Sequence, residues 1–82
     1  MSKQERYAMQ GQLVELRAEL ATLENRAEIL LKAMRGEMFV YTSPLDLDTA
    51  NIVVAAGDLD AVVKQAKEIK ERIAKVEDDL GL

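Results

Sequence analysis

Two stretches of this chain carry the same apolar spacing, and the two fit each other. From Met9 the apolar residues run Leu13, Leu16, Leu20, Leu23, Ala27, Leu30 and Met34, in alternating steps of four and three. From Ala55 they run Leu59, Val62, Ala66, Ile69, Ile73, Val76 and Leu80, with the same steps in the same order. A heptad seam held over that length argues coiled coil rather than an ordinary surface helix. Laid antiparallel, Met34 faces Ala55, Leu20 faces Ile69 and Met9 faces Leu80, and in every layer the two residue numbers add to 89. With Leu13 taken as an a position, each layer sets an a residue against a d residue. Leu23 meets Ala66 and Ala27 meets Val62, so large and small side chains interdigitate at close-packed density. One such run could be chance; two in a shared register specify a hairpin.

The expected fold is therefore all-α: an antiparallel two-helix coiled-coil hairpin occupying residues 1–82. Helix 1 is expected over about 3–35, a connector over about 36–47 and helix 2 over about 48–79. Ser2 can cap the first turn, with Glu5 three residues on as its capping-box partner. Gly36 after Lys32 and Arg35 reads as a helix stop. Ser43-Pro44-Leu45-Asp46 reads as a helix start, with Asp46 or Asp48 as alternative caps. Gly57 lies on the outer face of helix 2, and the acidic Glu77-Asp78-Asp79 sits badly against the helix dipole, so that end is expected to fray. Flanking charges support the register: Arg17 can reach Glu77, Glu19 can reach Arg72 and Glu24 can reach Lys70.

Composition removes much chemistry. The chain has no Cys and no His, which excludes thiol chemistry, disulfides, Cys-ligated zinc and the commonest general base. A net charge of −4 argues against a phosphate-binding surface, so no nucleic-acid partner is expected. No run has the length of a membrane span and no signal-peptide core follows the polar N-terminus, so no membrane partner and a cytoplasmic location are expected.

Carboxylates are the one plentiful catalytic resource. Glu15 and Glu19, and Glu68 and Glu71, are helical acid pairs of the kind that hold Mg²⁺ in all-α nucleotide pyrophosphohydrolases. In the seam register they project outward, so a solvated acidic face is the preferred reading. Asp46 to Asn51 has acids at calcium-loop spacing but lacks the Gly and the distal Glu, and N-capping explains it better. No catalytic, metal or cofactor site is expected.

Two features point instead to association. Met38, Phe39, Val40 and Tyr41 make the connector apolar and strand-prone, either plugging the open end of the hairpin or touching a partner. Leu31, Val53, Ala56 and Val63 form a second apolar edge outside the seam, with Ile29 and Val54 nearby and Val14 and Ala21 extending it more weakly toward the termini. A lone hairpin would leave this edge in water, and contiguous exposed apolar surface marks an association site. Small scaffolds without disulfides or metals commonly associate to bury enough surface. The expected assembly is a homodimeric four-helix bundle. The function expected from these residues is a non-enzymatic interaction or scaffold module. The alternative is a phage-type or transcriptional regulator that pairs with another regulator, and more remotely the Mg²⁺-dependent hydrolase. In outline the shape resembles prefoldin-type chaperones, whose helices are joined by β-structure. No motif is shared, and nothing is carried over from them.

Overall fold

The computed structural model describes residues 1–38 and 43–82 of the chain. Helix α1 spans Lys3–Met38, a 3-10 turn spans Pro44–Asp46, and helix α2 spans Thr49–Leu80. The two helices pack on each other as a hairpin, with Cα extents of 64 × 16 × 14 Å. Their antiparallel sense is fixed by contacts between low and high residue numbers. Arg6 Nη2 donates to the Leu80 carbonyl at 3.3 Å, and Arg17 Nη2 donates to Glu77 Oε1 at 3.5 Å. Those number pairs add to 86 and 94, on either side of the 89 of the seam. The expected Arg17–Glu77 ion pair is formed; Glu19 with Arg72 and Glu24 with Lys70 are not ion pairs among the described residues.

Local chemistry accounts for most of the helix ends. Ser2 Oγ accepts from the Glu5 amide at 3.1 Å, satisfying one of the free donors of the first turn. The opposite end of α1 departs from expectation: the helix runs through Gly36 to Met38. Gly36 does not take the left-handed conformation that would end a helix, since positive φ among the described residues occurs only at Gly81. Both candidate starts upstream of α2 are used in succession. Ser43 caps the 3-10 turn, accepting from the Leu45 amide at 3.4 Å. Asp48 caps α2, accepting from the Asn51 amide at 3.1 Å and from Asn51 Nδ2 at 2.7 Å.

The C-terminus, where fraying is expected, is instead capped. Gly81, at φ 75°, donates to the Asp78 carbonyl at 3.0 Å, and Leu82 donates to the Glu77 carbonyl at 2.8 Å. This paired arrangement is a Schellman motif, and with the Arg6 bond it satisfies carbonyls that the acidic last turn leaves exposed. Leu80 lies buried just before it.

The seam is where the fold is held. All sixteen seam side chains are buried or half-buried, and among the other described residues the same holds only for Glu37, Leu47, Ile52 and Glu77. Ile52 and Glu37 continue the heptad spacing by one step, and their numbers again add to 89. The burial is uneven along the rod. Leu13, Leu16, Ile69, Ile73, Val76 and Leu80 form one buried cluster at the terminal end, with Met9, Leu20 and Leu23 packed against it. Toward the connector only Val62 is buried, at 2% exposure; Leu23, Ala27, Leu30, Met34, Ala55, Leu59 and Ala66 are half-buried. The cause lies in the layers themselves. Every terminal layer pairs two large side chains, whereas three of the four connector-side layers contain an alanine.

Two stability predictions follow from these positions. Ile73→Ala is expected to cost about 2–5 kcal/mol, the cost of deleting a packed core side chain. Leu59→Ala is expected to cost about half as much, because half-buried atoms have already lost part of their packing. Chemical denaturation of both variants under the same conditions measures the difference. Gly57 is helical and an added methyl there would meet nothing within 4 Å. Gly57→Ala should therefore stabilise by about 0.5–1 kcal/mol, while Gly81→Ala, at positive φ, should destabilise by about 1–2 kcal/mol.

Candidate interaction surface

The heptad frame divides the flanks of the hairpin into two edges. Positions labelled e on the two helices lie on one side of the seam, and positions labelled g lie on the other. The e edge carries Arg17, Glu24, Leu31 and Met38 on α1, and Ala56, Val63, Lys70 and Glu77 on α2. Its chemistry changes halfway along. Near the termini it is charged and bridged by the Arg17–Glu77 pair. Near the connector it is apolar, and Val53 extends it on the adjoining b position.

This apolar half-edge is in water. Leu31 is 38% exposed, Val63 39%, Met38 62% and Val53 69%, and Ala56 is also exposed. Ile29 and Val54 are exposed on the outer faces nearby, and Val14 and Ala21 toward the termini. The partial cover on Leu31 and Val63 comes from their place beside the seam, and it leaves their outward atoms free. Met38 closes α1 at the top of this edge. Phe39, Val40 and Tyr41, the rest of the expected docking tip, lie outside the described residues.

The g edge carries a different feature. An open groove of about 660 Å³ runs between the helices, lined by Glu15, Ala18, Glu19, Thr22, Leu23, Gln65 and Ile69. The seam residues in its lining are Leu23 and Ile69, from adjoining layers. Thr22 Oγ1 turns back onto the Ala18 carbonyl at 3.1 Å, which leaves the groove wall short of free donors. Glu15 and Glu19 stand on this side, while Glu68 and Glu71 line a separate shallow recess with Arg72 and Lys75. The two acid pairs are not brought together, and among the described residues no three potential metal-ligating side chains cluster.

Electrostatics add little local structure. Lys64 Nζ pairs with Asp60 Oδ2 at 2.9 Å, one helical turn apart, and this hydrogen bond and charge raise the Lys64 pKa above its ordinary value. Both side chains are well exposed, so the pair is a minor contributor to stability. Asp48, the only carboxylate of the calcium-like run with side-chain partners among the described residues, is occupied by Asn51.

No family model, curated protein or solved structure matches the chain. Among the described residues, no helix is long and apolar enough to cross a membrane.

Sequence reasoning placed the apolar edge but missed its partner observation, the poor cover of the connector-side seam. The signal was available in the three alanine-containing layers. An exposed edge should tolerate polarity within one hairpin: Val53→Ser is expected to change the unfolding free energy of the isolated hairpin by less than about 0.5 kcal/mol. The measurement is denaturant unfolding at protein concentrations low enough that the midpoint no longer depends on concentration.

Proposed function

We propose that this chain is a non-enzymatic protein–protein interaction module, acting by helix-face association, and that its first partner is a second copy of itself in a four-helix bundle. One observation carries the reading: the hairpin covers its own seam at the terminal end but only half covers it at the connector end, directly beside the exposed Leu31, Val53, Ala56 and Val63. A second pair of helices laid on that edge would cover its apolar side chains and the flank of the seam beside them. The chemistry of the chain supports a binding rather than a catalytic role, since it has no His and no Cys and its acid pairs line separate recesses. Met38 would border such an interface.

The size of the edge is adequate. Leu31, Met38, Val53 and Val63 leave on the order of 400 Å² of apolar surface per copy, within the range that marks functional patches. At the usual apolar share of an interface that corresponds to roughly 700 Å² per partner, close to a standard contact.

Sedimentation equilibrium across low to high micromolar concentration tests this reading. The wild-type mass should rise to twice that of the chain. A Leu31→Glu, Val63→Glu variant should weaken the association at least about tenfold, because two charges would be desolvated at the contact. Circular dichroism should still report two helices in that variant. A wild-type chain that stays monomeric at about 100 µM while folded would reject the proposal.

A further inference from the structure

The charged half of the e edge decides how two copies can meet. A dimer overlapping along the full 64 Å would bring Arg17, Glu24, Lys70 and Glu77 of both copies into the contact. Removing so many ions from water is costly even when they pair. The terminal half also has no need of cover, since its cluster is already buried, its edge is bridged by the Arg17–Glu77 pair and its end is tied by the Arg6–Leu80 bond. Association confined to the connector half keeps Arg17 and Glu77 out of the contact and leaves Glu24 and Lys70 toward its ends.

We infer that two copies overlap only through their connector halves, pointing in opposite directions, with a two-fold axis crossing the rod at Leu31. This rests on the self-association proposed above. It fixes an orientation, a register and a shape that self-association alone does not.

The axis is placed by two independent pairings. On α1, Glu28 and Arg35 lie one heptad apart on the b flank, symmetric about a point just past Leu31. With α1 against its own copy, Glu28 comes beside the partner's Arg35 and Arg35 beside the partner's Glu28, while Leu31 sits next to its own copy. On α2, an axis midway between Ala56 and Val63 brings each onto the other in the second copy. These two points lie close in height. By the seam sum of 89, the α1 midpoint is level with a point between Gly57 and Asp58 on α2, about two residues, or roughly 3 Å of helix, from the Ala56–Val63 midpoint. The one like-charge approach, Asp60 near its own copy, is offset by Lys64, whose Nζ lies 2.9 Å from Asp60 Oδ2.

The resulting particle is a rod longer than either copy. Leu31 lies about 10 Å along the helix from Met38, so with the connector the overlap is about 35 Å and the whole dimer about 90 Å long. Four helices run side by side at its centre. A bare two-helix arm projects from each end, carrying the chain termini and the Glu15–Glu19 groove at opposite extremes. Such a dimer is a spacer that presents two identical arms facing away from each other.

Single cysteines read the geometry without interference, because the chain has none of its own. Under mild oxidation at a concentration where the wild type is dimeric, Leu31→Cys should form a disulfide with its own copy. Ala56→Cys mixed with Val63→Cys should cross-link, and Val14→Cys, on the distant arm, should not. Glu28→Arg should weaken the dimer by roughly threefold to tenfold, and adding Arg35→Glu to it should restore affinity, which a merely structural change would not do. X-ray scattering of the wild-type dimer should give a longest dimension of about 90 Å. Cross-linking of Leu31→Cys to Val63→Cys, with no Leu31 self-disulfide and a particle no longer than about 70 Å, would overturn the staggered geometry while leaving self-association standing. A monomeric wild type would instead remove the reading beneath it.

Discussion

The structure depends on one constraint: apolar side chains must recur every three and four residues on both helices, in phase with each other. Burial along that line is what holds two long helices together, because helix propensity alone is marginal and helical stability in proteins comes mostly from packing an apolar face. The caps at Ser2, Asp48 and Gly81 set where the helices begin and end, each contributing a modest share. None of them determines which face of one helix meets which face of the other. The seam does, and its content also determines how well the contact is made. Layers that pair two large side chains seal the terminal end, whereas layers containing Ala27, Ala55 and Ala66 leave the connector end half open.

That link between composition and cover explains what could be read from the sequence. The all-α hairpin and its register were legible because a period repeated over many turns leaves little freedom; the sixteen residues of the seam are the buried and half-buried face. The further step to Glu37 and Ile52 was missed because a glutamate does not register as a seam residue, although its spacing fits. Gly36 misled for a related reason. A glycine after basic residues has the composition of a helix stop, yet only its backbone angle decides whether it acts as one, and here the helix continues to Met38. Gly81 has the same side chain and does take the left-handed angle.

Surface charge was legible in part. Arg17 and Glu77 meet as their positions predict, but Glu19 with Arg72 and Glu24 with Lys70 do not pair, although the same heptad logic allows them. Exposed ion pairs gain so little that side-chain entropy can keep the groups apart. Leu31, Val53, Ala56 and Val63 lie outside the seam and are exposed in the hairpin. What a single chain cannot encode in its periodicity is which stretch of that edge lacks internal cover, because that depends on how much surface facing side chains remove from water.

The two halves of the rod therefore stand in different relations to folding. At the terminal end, cross-helix bonds and a buried cluster make the hairpin complete within one molecule. At the connector end, seam residues such as Leu30, Met34 and Leu59 retain contact with water, and an apolar edge adjoins them. A partner bound there would stabilise the folded state by mass action, and the half with most to gain is the one with the least internal packing. In an association of this kind, Ala56, a small exposed residue on that edge, would let a second pair of helices approach closely. The charged Arg17 and Glu77 at the other end would then act against over-extension, since sliding the copies into fuller overlap would strip water from them for little added apolar contact.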